Sequence, residues 1–391
     1  MNLLLLLTQF VASPRRTMMT KKLCALVVLF LFVGLTLTSF DVTVAEETGQ
    51  LPDPDGKSAD MSKPVQVFIL LGQSNMVGAG KINASKKGPE GSLDHAVKSK
   101  KLYPYLIDDE GNWTERKDVR NVRVMGSGGA DAGMRQFNNE WMTVTGRSIG
   151  PELGIGHQLG QAVDAPVMVL KSCIGNRSLG WDLLPPGSER YEFAMKDRKS
   201  GESKTYVYPA YNDEVRHTHW EKGNTPPAPK HNWHAGLQYE GDIARAKKVL
   251  AELNKYYPEA KKYEVAGFFF WQGDKDRYNP GHASRYEQNL VQLIQQLRKD
   301  FDAPNAKFVC ATLGQTEKTA EGNEGLILQG QLNVDGESGK YPKFKGNVAT
   351  VYTHPLSQGG ASNSHYGGNA ETYMNVGEAM GKAMVKLLET K

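Results

Sequence analysis

The chain has 391 residues, of which 39% are hydrophobic and 23% charged, a composition typical of a globular protein with a large core. Its formal net charge is +4, but residues 1–45 hold four of the 47 basic residues and one of the 43 acidic residues. The rest of the chain is therefore nearly neutral, which excludes the broad basic surface expected of a nucleic-acid-binding protein.

The N-terminal region has the layout of a secretory signal peptide. Two lysines precede an apolar stretch, residues 23–37, and small residues end at Ala45 before Glu46. A permanent membrane anchor is the alternative, but a span needs about 20 apolar residues and this stretch is shorter. We therefore expect cleavage near Ala45, export to the periplasm or the extracellular space, and no stable membrane partner. Residues 46–63 are acidic and lack periodicity, so they predict a linker before a domain at residues 64–391.

Beyond the linker, apolar runs alternate with amphipathic stretches. Five apolar runs predict buried strands, at residues 65–71, 167–170, 265–270, 308–311 and 347–352. Four stretches with apolar residues at helical spacing predict helices, at residues 152–163, 238–256, 285–297 and 372–388. Strands that are apolar on both faces and separated by helices indicate a parallel sheet with helices on both sides. Right-handed crossovers then give a doubly wound α/β sandwich of about five strands.

An insert at about residues 183–235 interrupts this pattern. It is rich in Tyr, Trp, His, Pro and charged residues and has no periodicity, which is typical of a functional loop or a disordered one. The aromatic residues favour an ordered loop that faces substrate. The spacing of His217, His219, His231 and His234 is compatible with zinc, but no cysteine accompanies them, so we do not expect a metal site.

Sites in such sheets lie outside the carboxyl ends of the strands. The first strand leads into "GQSNM", the second into "KSCIGNRSLGWD" and the third into "WQGDKD". The fifth leads into "THPLSQGGASNSHYGGNAETY" and the last helix. A serine, a glycine N–H, a side-chain amide and a histidine are therefore expected to converge on one rim.

The first of these segments, "GQSNMVGAGK", allows two interpretations: a phosphate-binding loop or a nucleophilic serine. A phosphate-binding P-loop would need glycine at Asn75 and a hydroxyl residue at Ile82, so the spacing argues against it. A nucleophilic serine at Ser74 needs a base, a role that suits histidine, and donors for the oxyanion. The N–H groups of Ser74 and Gly175 and the side-chain amide of Gln272 could supply three such donors. The alternative for the serine is a simple turn or helix N-cap.

The motifs "GQSNM", "GPELGIG" and "WQGDKD", followed by a histidine before the last helix, resemble the sialate O-acetylesterase and carbohydrate esterase family 6 branch of the SGNH hydrolases. The resemblance covers about residues 65–388. It implies a flavodoxin-like three-layer sandwich that removes acetyl groups from sugars without a metal or organic cofactor. It also implies Ser74 as nucleophile, His365 as base, and Gly175 and Gln272 in the oxyanion hole.

The acid of the expected catalytic triad departs from the family pattern. SGNH enzymes usually place Asp three or two residues before the histidine, where this chain has Ser362 and Asn363. Loss of a triad acid typically lowers turnover by about 10⁴-fold. Asp274 replaces the Glu of the family's "QGE" motif and is the first candidate for the acid. Asp276 and Glu371 rank behind it, and a Ser-His dyad is the fourth option.

Four residues are expected to contact an acetylated sugar: Gln73, Asn176, Trp220 and Trp233. The tryptophans would stack on sugar rings, although aromatic residues of an insert can also pack it internally. His354 is an alternative base. The expected function is a secreted serine esterase that removes O-acetyl groups from polysaccharide or sialic acid. The alternatives are a carbohydrate-binding protein weakened in catalysis by the missing Asp, and an esterase of the lipase or thioesterase type.

Overall fold

The computed structural model describes residues 59–197, 199–229 and 233–390. The predicted signal peptide and the first part of the predicted linker, up to residue 58, lie outside the described residues. Across the described ranges, no helix is both long and apolar enough to cross a membrane.

The described chain contains twelve strands and seven α-helices. The strands are β1 (Val65–Gly72), β2 (Gly80–Lys81), β3 (Glu115–Met125), β4 (Arg135–Thr143), β5 (Ser148–Ile149), β6 (Val167–Ser172), β7 (Tyr191–Lys196), β8 (Ser203–Tyr208), β9 (Trp220–Glu221), β10 (Tyr263–Trp271), β11 (Lys307–Ala311) and β12 (Val348–Val351). The α-helices are α1 (Ser74–Val77), α2 (Glu152–Ala162), α3 (Leu237–Ala251), α4 (Leu253–Tyr256), α5 (Pro280–Asp300), α6 (Gly322–Asn333) and α7 (Ala370–Glu389). Short 3₁₀ or π-helical segments lie at His95–Ser99, Pro104–Leu106, Asp276–Tyr278, Gly336–Ser338, Pro342–Phe344, His354–Leu356 and Ser362–Gly368.

Seven strands form the central sheet, in the order β12-β11-β10-β1-β6-β3-β4. All neighbouring pairs are parallel except β3 and β4, which are antiparallel. The predicted α/β class with a mainly parallel sheet is confirmed. The predicted number of about five strands is wrong: β1, β6, β10, β11 and β12 correspond to the five predicted strands, and β3 and β4 extend one edge.

The two unpredicted strands of the central sheet, β3 and β4, are polar in sequence. Most side chains of β4 are exposed or half-buried, and β3 buries a charged residue that finds a partner in a distant segment. In β3, Arg120 is only 8% exposed. Its Nε donates to Tyr256 O at 3.1 Å, and its guanidinium lies 4.8 Å from the Trp141 ring centroid. A buried guanidinium with such partners is tolerated in the core. The sequence of β3 therefore lacks the continuous apolar run by which a core strand is recognised.

Helices cover both faces of the sheet. Because successive side chains of a strand point to opposite faces, Val67 and Ile69 pack in one core with residues of α3 and α5. Phe68 and Leu70 pack in the other core with residues of α2 and α7. The four predicted helices correspond to α2, α3 with α4, α5 and α7. The carboxyl ends of β1, β6 and β10 therefore share one rim.

The insert is not a loop without regular structure. Its strands β7, β8 and β9 form a small antiparallel sheet. A separate apolar cluster supports this region and consists of Trp181, Leu184, Val215, Trp220 and Ala235. The aromatic residues of the insert therefore stabilise its own fold.

Candidate active site

Ser74 is the first residue of α1 and lies just beyond the end of β1. The chain turns at Gly72, where φ is +143° and a Cβ would lie 2.3 Å from Trp271 O, so only glycine fits. The following Gln73 is buried, and its Oε1 accepts hydrogen bonds from Gln272 Nε2 at 3.2 Å and Lys275 N at 3.2 Å. This turn ties the ends of β1 and β10 together and places the partly exposed Ser74 on the rim.

Gly175, after β6, lies directly against Ser74. A Cβ built on Gly175 would be 3.3 Å from Ser74 Cβ. The N–H of Ser74 belongs to the first turn of α1 and has no intrahelical acceptor. Neither this N–H nor that of Gly175 donates to another described group. The structure thus brings together a hydroxyl and two backbone N–H groups without acceptors, and N–H groups of this kind stabilise an oxyanion in acyl transfer.

Gln272 is placed differently from the expectation that it offers a free donor. Its side chain is 1% exposed, and its Nε2 faces Gln73 Oε1 at 3.2 Å, Arg177 O at 3.0 Å and Asp276 Oδ2 at 2.5 Å. Tyr286 donates its hydroxyl proton to Oε1 at 3.0 Å. Because an amide nitrogen has only two hydrogens, Gln272 is fully engaged in joining the loops that follow β1, β6 and β10.

Asp276 is the buried centre of this loop network. Its carboxylate accepts the N–H groups of Leu179 and Gly180, each at 2.8 Å, besides the Gln272 amide. Burial raises the pKa of Asp276 to about 6, and the hydrogen bonds to the charged form oppose that rise. Asp276 therefore holds the segment after β6 in place instead of contacting His365.

His365 lies in a strained turn before α7. His365, Tyr366 and Gly367 all have left-handed backbone, with φ of 53°, 53° and 62°. A non-glycine residue in this region costs about 1–3 kcal/mol. Tyr366 anchors the turn because its buried hydroxyl accepts the N–H of Gly314 at 3.0 Å, and its ring stacks on Trp271 with centroids 5.8 Å apart. The imidazole of His365 is left partly exposed.

The turn that carries Ser74 and the turn that carries His365 are joined by Asn75, which is 1% exposed. Its Nδ2 donates to Ser362 O at 3.3 Å, and its Oδ1 accepts from Tyr373 OH at 3.2 Å. The same hydroxyl lies 3.5 Å from His365 O. Both Ser74 and His365 are described residues, and no hydrogen bond joins Ser74 Oγ to the imidazole. Asn75 thus couples the two turns through the backbone.

The three candidate acids all have other partners. Asp274 Oδ1 accepts from Ser362 Oγ at 2.5 Å and from Arg277 Nε at 2.9 Å. Glu371 forms an ion pair with Lys100, at 2.5 Å. Asp276 is likewise engaged in its own network. Among the described residues, no carboxylate is hydrogen-bonded to His365.

The remaining predicted site residues differ in exposure. Asn176 is exposed, with φ of 58°, beside Gly175. Trp220 is 8% exposed and packs in the insert's own cluster, so its ring is not open to a ligand. Trp233 is partly exposed and lies beneath the guanidinium of Arg177, 5.3 Å from its ring centroid.

Some residues of the site were missed by the sequence analysis. Asn75 and Tyr366 carry the contacts that hold Ser74 and His365 in place. For Asn75 the signal was its position inside "GQSNM". For Tyr366 no local signal exists, since its partner Gly314 is far along the chain. The alternative base His354 directs Nδ1 at Gly314 O, at 2.9 Å.

The histidines of the insert pack with aromatic and polar neighbours. The His219 ring stacks on Tyr208 with centroids 5.1 Å apart, and its Nδ1 lies 3.0 Å from Thr218 Oγ1. His234 Nε2 lies 3.0 Å from Glu240 Oε1. His231 lies outside the described residues. In the part of the chain that is described, no group of three or more His, Cys, Asp or Glu side chains is arranged to hold a metal ion.

One family model matches the C-terminal part of the chain. The profile of the family "Carbohydrate esterase, sialic acid-specific acetylesterase" matches residues 216–386. The resemblance seen in the sequence motifs is confirmed. The match contains Gln272, Asp274 and His365 and begins after Ser74 and Gly175. No curated protein sequence matches the chain.

Several solved structures share part of the chain path. A protein from Arabidopsis thaliana is 16% identical with a TM-score of 0.45, over 84% of this chain and 100% of that one. A carbohydrate acetylesterase from Xanthomonas citri is 14% identical with a TM-score of 0.44, over 81% of this chain and 55% of that one. NanS is 12% identical with a TM-score of 0.39, over 80% of this chain and 81% of that one. Because these TM-scores lie below 0.5, none of the likenesses supports a statement about this chain's activity.

Proposed function

We propose that this protein is a serine esterase that removes O-acetyl groups from a carbohydrate. The observation that carries the proposal is the contact of Gly175 with Ser74 at the carboxyl edge of the sheet, where both backbone N–H groups are free. The family match at residues 216–386 supports esterase chemistry on carbohydrate. The parallel sheet with helices on both faces also supports the flavodoxin-like SGNH arrangement.

In the proposed mechanism, Ser74 Oγ attacks the acetyl carbonyl carbon while His365 accepts the hydroxyl proton. The N–H groups of Ser74 and Gly175 hold the tetrahedral oxyanion, and each such donor lowers the barrier by about 3–4 kcal/mol. The intermediate collapses, and the sugar oxygen leaves with the proton from His365. Water, deprotonated by His365, then attacks the acetyl-serine. Acetate is released as Ser74 Oγ leaves the acetyl carbon and takes the proton back from His365. The Ser74–His365 hydrogen bond would form when substrate binds, since such bonds are often long in free enzymes.

Two further residues take supporting roles in this proposal. Gln272 fixes the loops around Ser74 instead of donating to the oxyanion. Its Nε2 lies within hydrogen-bonding distance of acceptors in three other residues, Gln73, Arg177 and Asp276. Asp274 acts on His365 through Ser362 and is therefore a positioning residue. Export after cleavage near Ala45 stays a prediction, because that region lies outside the described residues.

A second candidate is a carbohydrate-binding protein with weakened catalysis. The specific observation in its favour is that no described carboxylate hydrogen-bonds to His365. Without such an acid the imidazole lacks a partner that sets its tautomer and orientation.

Acetate release distinguishes the two functions. The purified protein would be given a small aryl acetate, acetylated xylan and O-acetylated sialic acid, beside Ser74→Ala and the exposed-serine control Ser85→Ala. We expect turnover by the wild type and the control and none by Ser74→Ala. Equal, background-level release by the wild type and Ser74→Ala on all three substrates would reject the esterase and favour the binding protein.

A further inference from the structure

A cavity of about 420 Å³ opens between the insert and the start of α3. Its walls come from three segments: the loop after β3, the insert, and the start of α3. The described residues that line it include Asp131, Glu214, Trp233, Leu237 and Glu240. The volume falls in the range of small-molecule sites, and an aromatic ring with a few polar groups is the usual lining of such sites.

The cavity and Ser74 share the same rim of the sheet. β1, which leads to Ser74, is separated from β3 only by β6. Because neighbouring strands lie about 4.8 Å apart, the carboxyl end of β3 is about 10 Å from that of β1. Arg177 lies between the two places: it follows Gly175 by two residues, and its guanidinium covers the Trp233 ring at 5.3 Å. A chain of sugar units could extend from Ser74 past Arg177 into the cavity.

The guanidinium of Arg177 is held by the protein itself. Its Nη2 donates to Ser127 Oγ at 2.8 Å, and its Nε donates to Gln238 Oε1 at 3.2 Å. The carboxylate of Asp182, 3.9 Å from Arg177 Nε, offsets part of this positive charge, so a ligand carboxylate in the cavity gains less from it.

Asp131, Glu214 and Glu240 give the cavity wall three hydrogen-bond acceptors of negative charge, beside the imidazole of His234. Glu240 Oε1 is fixed by Tyr211 OH at 2.6 Å and by His234 Nε2 at 3.0 Å. Its Oε2 bonds no described group, and neither do the carboxylates of Asp131 and Glu214. Acceptors of this kind bind sugar hydroxyls, whereas a ligand carboxylate would meet like charge.

We propose that this cavity is a subsite for a neutral sugar residue, so that the natural substrate is an acetylated neutral oligosaccharide or polysaccharide. The inference rests on the proposed esterase function, which it makes more specific. A pyranose ring would lie against the face of the Trp233 indole that Arg177 does not cover, and would donate its hydroxyls to Glu240 and its neighbours. An O-acetylated sialic acid, which carries a carboxylate, is disfavoured by the same wall.

The test measures kcat/KM on acetylated xylo-oligosaccharide and on a small aryl acetate, and forms their ratio. We expect Trp233→Ala to lower that ratio by about tenfold, the effect of losing one aromatic contact. Trp113→Ala removes another partly buried tryptophan, beneath Lys98, and is expected to leave the ratio unchanged. The double variant Asp131→Asn, Glu214→Gln keeps size but removes charge, and is expected to raise kcat/KM on O-acetylated sialic acid relative to the oligosaccharide.

An unchanged ratio in Trp233→Ala together with no change of preference in the double variant would overturn the subsite. Calorimetric titration with unacetylated xylo-oligosaccharide separates this failure from failure of the esterase proposal. If wild type and Ser74→Ala were equally inactive, weaker binding by Trp233→Ala than by Trp113→Ala would still support the subsite. Equal binding by the two variants would reject it.

Discussion

Asp274 Oδ1 lies 2.5 Å from Ser362 Oγ, the side chain three residues before His365. The family resemblance expects an Asp at the position of Ser362. In this chain the negative charge instead comes from the segment after β10, 88 residues away in sequence. Arg277 shares the same carboxylate oxygen, at 2.9 Å. The carboxylate therefore holds the turn that carries His365 by its serine instead of contacting the imidazole.

This contact predicts that Asp274 and Ser362 act as one unit. We expect Asp274→Asn and Ser362→Ala each to lower kcat/KM on an aryl acetate by roughly tenfold, because each loosens the turn that carries His365. The double variant should lose little more than either single variant, since both changes remove the same interaction. A matched control is Asp94→Asn, whose carboxylate pairs with Lys98 on the surface.

The opposite pattern would identify Asp274 as a direct triad acid. In that case Asp274→Asn alone would cost about 10⁴-fold in turnover, the typical loss of a triad acid. Ser362→Ala would then have a much smaller effect than Asp274→Asn.

The close contact between Gly175 and Ser74 allows a steric test of the proposed nucleophile, Ser74. In Gly175→Ala the new Cβ would lie 3.3 Å from Ser74 Cβ, so Ser74 or the loop must shift by a few tenths of an ångström. We expect kcat/KM to fall by roughly ten- to a hundredfold with little change in unfolding free energy, because small misplacements of reacting groups are costly. Gly133→Ala is the control, since its Cβ would meet nothing within 4 Å. Full activity of Gly175→Ala would contradict the proposed oxyanion site.

The hydrogen bond of Tyr366 predicts that catalysis depends on the strained backbone of the turn at His365. Tyr366→Phe would leave the buried N–H of Gly314 without its acceptor, at a cost of about 1–3 kcal/mol in unfolding free energy. The strained backbone at His365 would also relax, so we expect kcat to fall. Tyr239→Phe removes another buried hydroxyl, bonded to Asp300 at 2.5 Å, and should affect stability without affecting kcat. Equal kcat values in both variants would show that the turn does not depend on this anchor.

The raised pKa of Asp276 predicts that the free energy of unfolding depends on pH. Burial raises its folded-state pKa to about 6, whereas an aspartate in an unfolded chain titrates near about 3.9. Because the folded pKa is the higher one, this group contributes stability that is fully present below about pH 4 and is lost as the pH rises through about 6. The total is about 3 kcal/mol.

Urea unfolding of wild type and Asp276→Asn between about pH 4 and 8 measures this contribution. We expect the wild type to lose unfolding free energy relative to the variant over that range, since the variant has no proton to release. Asp94→Asn should follow the wild-type curve. Parallel curves for wild type and Asp276→Asn would contradict the raised pKa.

The amino-acid sequence by itself determined the class of fold and the rim on which the site lies. Strands buried on both faces must be apolar throughout, so β1, β6, β10, β11 and β12 were visible as apolar runs. The carboxyl ends of parallel strands meet at one edge, so the proximity of Ser74 and Gly175 follows from the order of the elements.

Tertiary structure alone decided which partners the polar groups find. β3 was hidden because it buries a charged residue, Arg120, whose guanidinium is satisfied by Tyr256 O and Asn139. β4 was hidden because most of its side chains are polar and exposed or half-buried. The engagement of the Gln272 amide and the contact between Asp274 and Ser362 likewise join loops that are far apart in sequence. Hydrogen bonds act over about 3 Å, so their partners are set by the path of each loop and not by local residue patterns.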